Sequence, residues 1–177
     1  MKRHIILVGL PGSGKSTVGK EAADQLQATF LDIDAVISRK EGRPISILIA
    51  EKGEAAFRAL EKHEVEAALE APPAIIAPGG GWAAQPGALE SVAGRAIILY
   101  LKTKPDKAVD RAAQDRGPGN RATLIGIGDD PATRMRELLK EREPFYLKAD
   151  AQVETDRKTA AQVVVEVLKL ARSMAGW

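Results

Sequence analysis

The sequence predicts an α/β fold in which a mostly parallel sheet is covered by helices. Three observations predict it. Short apolar runs alternate with longer amphipathic ones along the chain. The first apolar run, His4-Ile5-Ile6-Leu7-Val8, feeds directly into a glycine-rich turn. The last long segment carries Val163, Val164, Val167, Leu168 and Ala171 at helical spacing, the stripe of a helix laid on a core. At 177 residues, one domain spanning 1–177 is expected, large enough to be stable without metal or disulfide staples.

The elements follow in order. Strands are expected near Arg3–Val8, Thr29–Ile33, Ala74–Pro78, Arg95–Leu101 and Ala151–Glu154, where the apolar runs fall. Helices are expected near Lys15–Leu26, Ile45–Lys52, Glu54–Ala71, Pro86–Val92, Asp106–Gln114, Pro131–Leu147 and Thr159–Met174, where apolar residues recur with helical period. One segment breaks the alternation. Asp115-Arg116-Gly117-Pro118-Gly119-Asn120-Arg121 and Gly126-Ile127-Gly128-Asp129-Asp130-Pro131 bracket a stretch rich in turn residues. It reads either as a plain surface loop or, beside a phosphate site, as a lid over roughly 115–130 with glycine hinges that closes to exclude water.

Composition narrows the function classes. A net charge of +2 offers no basic stripe, so a nucleic-acid partner is not expected. The absence of cysteine excludes disulfides and thiolate zinc sites and fits a reducing compartment. The apolar run behind Lys2-Arg3 is too short to span a membrane and meets the glycine turn rather than a cleavage site. A soluble cytoplasmic protein with no membrane partner is expected.

The segment Gly9-Leu10-Pro11-Gly12-Ser13-Gly14-Lys15-Ser16-Thr17 matches G-x-x-x-x-G-K-[ST] between a strand and a helix. Glycines let successive N–H groups point inward, because no Cβ blocks the turn or an approaching phosphate. The following helix adds its unpaired N–H groups and the positive end of its dipole. Lys15 is then placed for the β- and γ-phosphates, and the Ser16 hydroxyl for Mg²⁺.

Asp32 and Asp34 end the second strand. Alternate strand residues share a side, so both carboxylates face one site if extended geometry persists through Asp34. Asp32 suits the metal's water shell and Asp34 an acceptor hydroxyl, although either carboxylate would also serve as a helix cap. Gly79-Gly80-Gly81 either exposes backbone to a ligand or makes a flexible turn. Arg58 lies four residues from Glu54 and three from Glu61, so a solvated ion pair is its default reading. Arg111, Arg116, Arg121, Arg134, Arg136 and Arg142 crowd the lid and its flanks, interspersed with glutamates. His4 and His63 have no partners at metal-ligand spacing, and the tryptophans and tyrosines form no stacking platform.

Taken in order, these pieces make the chain resemble the shikimate kinases along nearly its whole length. The resemblance rests on the glycine loop, Leu31-Asp32-Ile33-Asp34, Gly42-Arg43-Pro44-Ile45 and Gly53-Glu54-Ala55-Ala56-Phe57-Arg58-Ala59-Leu60-Glu61. It continues through Gly79-Gly80-Gly81, Arg121 and Arg142-Glu143-Pro144-Phe145-Tyr146. It implies a P-loop, nucleoside-monophosphate-kinase-like α/β/α sandwich of three layers, with a five-stranded parallel sheet and a mobile lid. It also implies ATP and Mg²⁺, a shikimate 3-hydroxyl as acceptor, and a monomer. By the same resemblance Lys15, Asp34 and Arg121 are catalytic. Gly12, Ser13, Gly14, Lys15, Ser16, Thr17, Arg111, Arg121 and Arg157 would bind ATP. Asp34, Arg58, Gly79, Gly80, Gly81 and Arg142 would bind the acceptor, with Arg58 and Arg142 on its carboxylate. Ser16 and Asp32 would hold the metal.

The chain departs from that pattern at Ala122, where the lid usually has proline, at Ile49, where an aromatic is common, and at Pro78 and Trp82 around the glycines. Trp82 is expected to add bulk near the acceptor pocket. Two other readings share the loop. One is a related small-molecule kinase acting on gluconate or a similar hydroxy acid; the other is an ATP-binding module without transferase activity.

Overall fold

The computed structural model describes residues 1–114 and 130–177. Arg121 and, apart from Asp130, the expected lid lie outside the described residues. Five parallel strands form one sheet in the order β2-β3-β1-β4-β5. They are β1 (His4–Val8), β2 (Thr29–Asp32), β3 (Ala74–Ala77), β4 (Ala96–Lys102) and β5 (Ala151–Glu154). The chain runs from β1 to one edge, returns through β3, then crosses to β4 and β5. The divergence of connections on either side of β1 opens a crevice beyond the carboxyl ends of the strands, the usual ligand position in open α/β sheets.

The three central strands, β1, β3 and β4, are almost wholly apolar because helices cover both faces, while the edge strands β2 and β5 carry polar residues. Period-two alternation sorts their side chains. Ile6, Val8, Ile76, Ile98 and Tyr100 face one core, and Ile5, Leu7, Ile75, Ile97, Leu99, Leu101 and Val153 face the other. The first core is closed by α2 (Ile33–Glu41), α3 (Ile45–Lys52), α4 (Glu54–Glu70) and α7 (Pro131–Tyr146), through Ile37, Leu48, Phe57, Val65, Met135 and Leu138. The second is closed by α1 (Lys15–Leu26) and α8 (Ala160–Ala175), through Val18, Ala22, Ala23 and the predicted stripe from Val163 to Ala171. The result is the three-layer sandwich that the resemblance implies. Two short elements, a 3₁₀ turn at Trp82–Ala84 and α5 (Ala88–Ser91), lead into β4, and α6 (Pro105–Gln114) follows it.

Local signals set the helix starts. Thr159 and Gln162 form a reciprocal capping box at α8, with N···O distances of 2.8 and 3.2 Å. Asp130 caps α7 by accepting from the Thr133 N–H at 3.1 Å, with Pro131 in the first turn.

Two expectations are corrected. The second strand does not continue through Asp34. It stops at Asp32, whose Oδ1 accepts the Ala35 N–H at 3.1 Å and starts α2, a helix the sequence reading did not place. The helix expected over Pro86–Val92 shortens to Ala88–Ser91, because Gly87 takes a left-handed turn at φ 75°. Other ends agree within a residue or two.

Candidate active site

The site begins at the loop between β1 and α1. Gly12 has φ +80°, and a Cβ there would overlap the Ala108 carbonyl on α6, so only glycine fits. Gly14 has φ +95° and forms the N-cap of α1. The loop therefore wraps closely around the first turn of that helix, with Ser16 and Thr17 exposed on it. Lys15 Nζ donates to the Gly9 and Leu10 carbonyls, each at 2.9 Å, which holds the ammonium across the loop. Ser13 Oγ is buried and has no hydrogen-bond partner among the described residues.

Across from the loop, Ser16 Oγ donates to Asp32 Oδ2 at 2.6 Å. Asp32 thus joins the start of α1 to the start of α2 by one oxygen each. Asp34 occupies the first turn of α2 and is buried, 7% exposed, yet its side lines the same cleft. The two carboxylates do meet one site, but through a strand-to-helix turn rather than through strand alternation.

The cleft has a volume of about 600 Å³ and runs from Pro11–Val18 past Asp32 and Asp34 to Ala77–Gly80. On its other side lie Arg111, Thr155 and Lys158. Arg111 is braced by Thr155, Nη1 to Oγ1 at 3.2 Å and Nη2 to the carbonyl at 3.3 Å. Thr155 Oγ1 in turn lies 2.6 Å from Thr103 Oγ1. Arg157 is exposed, and its neighbour Lys158, paired with Glu166 at 2.6 Å, lines the wall instead.

The glycine-turn side is assembled from three segments distant in sequence. A Cβ on Gly81 would overlap the Arg58 guanidinium and come within 3.2 Å of Arg142 Nη2, and one on Gly80 would come within 3.1 Å of Arg142 Nη1. The glycines are needed because two guanidinium groups pack against their backbone. Arg58 is not the solvated ion pair its spacing indicates. Its side chain is 11% exposed, and Nη1 donates at 2.6 Å to Glu61, whose side chain is 1% exposed. Burial acts to lower the Arg58 pKa, but the Coulombic pull and hydrogen bond of Glu61, with Glu54 behind it, outweigh burial and raise it. The guanidinium therefore stays charged. Glu61 Oε1 also accepts the Gly79 N–H at 2.9 Å, tying α4 to the glycine turn. Tyr146, on α7 with Arg142, donates to the Gly80 carbonyl.

Sequence reasoning missed Glu61 and Tyr146 as parts of this assembly. Glu61 was legible only as a neighbour of Arg58, and its bond to residue 79 depends on the fold. Trp82 is buried in the core beneath the turn, and Ile49 packs partly buried against the same core. Among the described residues no three His, Cys, Asp or Glu side chains cluster to hold a metal. Ser16 and Asp32 present hard oxygen donors side by side at the loop. No helix among the described residues is long and apolar enough to cross a membrane.

Comparison with known proteins gives consistent results. A family model described as shikimate kinase matches residues 11–172. The shikimate kinase of Mycobacterium avium is 39% identical over 165 residues, covering 93% of this chain and 90% of that protein. The structure of shikimate kinase from Acinetobacter baumannii in complex with shikimate superposes with a TM-score of 0.88 at 33% identity, covering 98% of this chain and 94% of that one. A gluconokinase structure from Sinorhizobium meliloti covers 99% of this chain and 94% of its own, with a TM-score of 0.62 at 16% identity, which is a likeness of fold alone.

Proposed function

The chain belongs to the shikimate kinase family, and from that premise we propose that it transfers the γ-phosphoryl group of ATP to the 3-hydroxyl of shikimate. The observation that carries the acceptor assignment is the convergence of Arg58 and Arg142 on Gly80–Gly81. Paired guanidinium forks suit a carboxylate, and this pair packs on a glycine turn whose Gly80 lies beside Gly9 and Pro11 of the phosphate loop. Arg58 is already balanced by Glu61 and Glu54, so an uncharged sugar would leave Arg142 as the guanidinium with no acidic partner among the described residues.

Each residue then takes a role. The Gly12–Thr17 amides and the α1 dipole bind the triphosphate. Lys15 exchanges the Gly9 and Leu10 carbonyls for the β- and γ-phosphates. Arg111 flanks the nucleotide base, and Arg157 joins it in this reading. Asp34 orients the acceptor hydroxyl and receives its proton as the oxygen attacks the γ-phosphorus. The bond from that phosphorus to the bridging oxygen breaks, and ADP leaves. Arg58 and Arg142 hold the acceptor carboxylate, and Gly79, Gly80 and Gly81 line the pocket with backbone. Arg121 would close over the phosphates with the lid.

Mg²⁺ fits the donor set, since the Ser16 hydroxyl and Asp32 carboxylate are hard oxygens 2.6 Å apart. Bound there, the ion would neutralise charge on the β- and γ-phosphates. We read the active unit as a monomer. The reading sets the enzyme in the cytoplasm, where ATP is available, with small molecules rather than nucleic acid as partners.

The test is ADP release by the purified protein with ATP and Mg²⁺, comparing shikimate with gluconate as acceptors. Turnover with shikimate and none with gluconate is expected. Turnover with gluconate alone would move the chain to another acceptor. ATP binding with no stimulation by either acid would leave a binding module.

A further inference from the structure

The glycine turn is pinned from both sides. Glu61 accepts the Gly79 N–H at 2.9 Å, and the Tyr146 hydroxyl donates to the Gly80 carbonyl. Two further bonds close the turn on itself, Trp82 N–H to the Gly79 carbonyl at 3.0 Å and Gln85 Nε2 to the Gly81 carbonyl at 3.1 Å. The N–H groups of Gly80 and Gly81 make no hydrogen bond among the described residues. They are the donors this turn leaves available.

The Gly80 carbonyl and the Gly81 N–H belong to one planar trans peptide, so they point in opposite directions. Fixing the carbonyl therefore fixes the N–H. Glycine alone would not hold that plane, because its backbone has the widest freedom of any residue. Tyr146 can hold it, because it is rigidly placed. It is fully buried, and its ring lies 5.0 Å from that of Tyr100 at a tilt of 34°. It also follows Arg142 by four residues on α7, so the two project from one helix face. One helix thus carries both a guanidinium for the acceptor carboxylate and the anchor for the adjoining peptide.

We propose that Tyr146 is a positioning residue for the acceptor: its hydroxyl orients the Gly80–Gly81 peptide so that the Gly81 N–H faces the acceptor between Arg58 and Arg142. The proposal rests on the shikimate kinase reading above. Tyr100 provides the control within the same aromatic pair. Its hydroxyl is buried but has no hydrogen-bond partner among the described residues, so its removal alters packing little and the glycine turn not at all.

The experiment compares wild type, Tyr146→Phe and Tyr100→Phe in steady-state kinetics. Loss of one buried hydrogen bond predicts a rise of roughly tenfold in the shikimate KM of Y146F, with the ATP KM and kcat close to wild type. Y100F is expected to match wild type in all three. An unchanged shikimate KM in a folded Y146F overturns the proposal, as does an equal rise in the ATP KM. Inactive wild type would instead overturn the functional reading.

A second measurement does not depend on Y146F folding. The chain has two tyrosines, so Y100F grown with 3-fluorotyrosine carries one fluorine label, at Tyr146. Its ¹⁹F resonance is expected to move on saturation with shikimate in the absence of nucleotide. A resonance that stays in place at saturating shikimate, with binding confirmed by calorimetry, also overturns the proposal.

Discussion

The two ends of the cleft are built differently. The phosphate end is contiguous at its core: residues 9–17 supply the loop, the lysine and the helix start, with Asp32 and Arg111 added from elsewhere. The acceptor end is assembled: Arg58 and Glu61 from α4, the glycine turn after β3, and Arg142 and Tyr146 from α7. In the first, backbone conformation makes the site, and glycines with φ of +80° and +95° set it. In the second, long-range side-chain bonds hold an otherwise pliant turn. The difference teaches where each end is fragile. The phosphate end should fail through loss of a charge or a backbone clash, and the acceptor end through loss of any one of several tethers.

The largest expected effect tests the contiguous end. Lys15→Met should lower kcat by about 10²–10³, as removal of one preorganised charge donor does. The shikimate KM should move far less, because Lys15 lies on the loop and not at the glycine turn. Near-wild-type turnover would end the claim that the loop and its lysine work as one unit.

Next comes a contrast within the assembled end. Arg58→Ala and Arg142→Ala should each raise the shikimate KM by roughly 10- to 100-fold, the worth of a charge-assisted hydrogen bond lost from a site. Only Arg58→Ala should also cost about 3 kcal/mol of stability, since it takes the guanidinium away from the buried Glu61 carboxylate. Arg142 makes no ion pair among the described residues, so its removal should leave the urea midpoint nearly unmoved. Matching stability losses in the two variants would show that Glu61 is not held by Arg58 as described.

A pair of glycines sharpens the same comparison. Gly12→Ala meets both a positive φ and the fixed Ala108 carbonyl, and should cost about 2 kcal/mol or more in stability. Gly81→Ala meets the tip of a side chain, with φ of −91°. Its backbone is unstrained, so its stability should fall by less than about 1 kcal/mol. The displaced Arg58 should appear instead as a raised shikimate KM. Thermal melts and acceptor titrations of the two variants check this, and equal melting losses would erase the distinction.

That distinction also explains what the sequence made legible. The centre of the sheet was readable because strands covered on both faces are nearly uninterrupted apolar runs, and α8 because its stripe is unbroken. The phosphate loop was readable because its chemistry lies in nine consecutive residues. The helix α2 was missed although Asp32 and Gly42 both mark its ends. Ile33-Asp34 continues the alternation of β2, and a two-residue pattern does not separate strand from helix. At the acceptor end, residue types were readable and their environment was not. The (i, i+3) spacing of Arg58 and Glu61 is equally good for a solvated pair, and burial follows only once Gly79 and Gly81 pack over them. Trp82 is buried in the core and also lines a small cavity beside Arg58, a placement its sequence neighbours do not reveal.

The smallest effect lies at neither end, and it isolates the shared sheet from both sites. His4 opens β1 at the edge opposite the cleft, is buried, and accepts the Ala74 N–H on Nδ1 at 3.2 Å. Burial, opposed by backbone hydrogen bonding at Leu69 and Ala71 and assisted by the Arg95 charge, holds its pKa below the usual 6.5. The neutral ring is therefore the folded form. As pH falls through 6.5 the unfolded chain takes up a proton that the folded chain refuses, so stability declines until the folded pKa is passed. His63, the other histidine, is exposed on α4. His4→Asn keeps an acceptor for Ala74 but does not titrate. Urea midpoints at about pH 7.5 and about pH 5.5, on either side of the ordinary histidine pKa, should fall further for wild type than for the variant. The KM values for ATP and shikimate should be the same in both proteins at either pH, since His4 touches neither end of the cleft. An equal fall in both midpoints would place the acid sensitivity of the fold elsewhere. A KM that changed only in wild type would mean that the two ends communicate through β1.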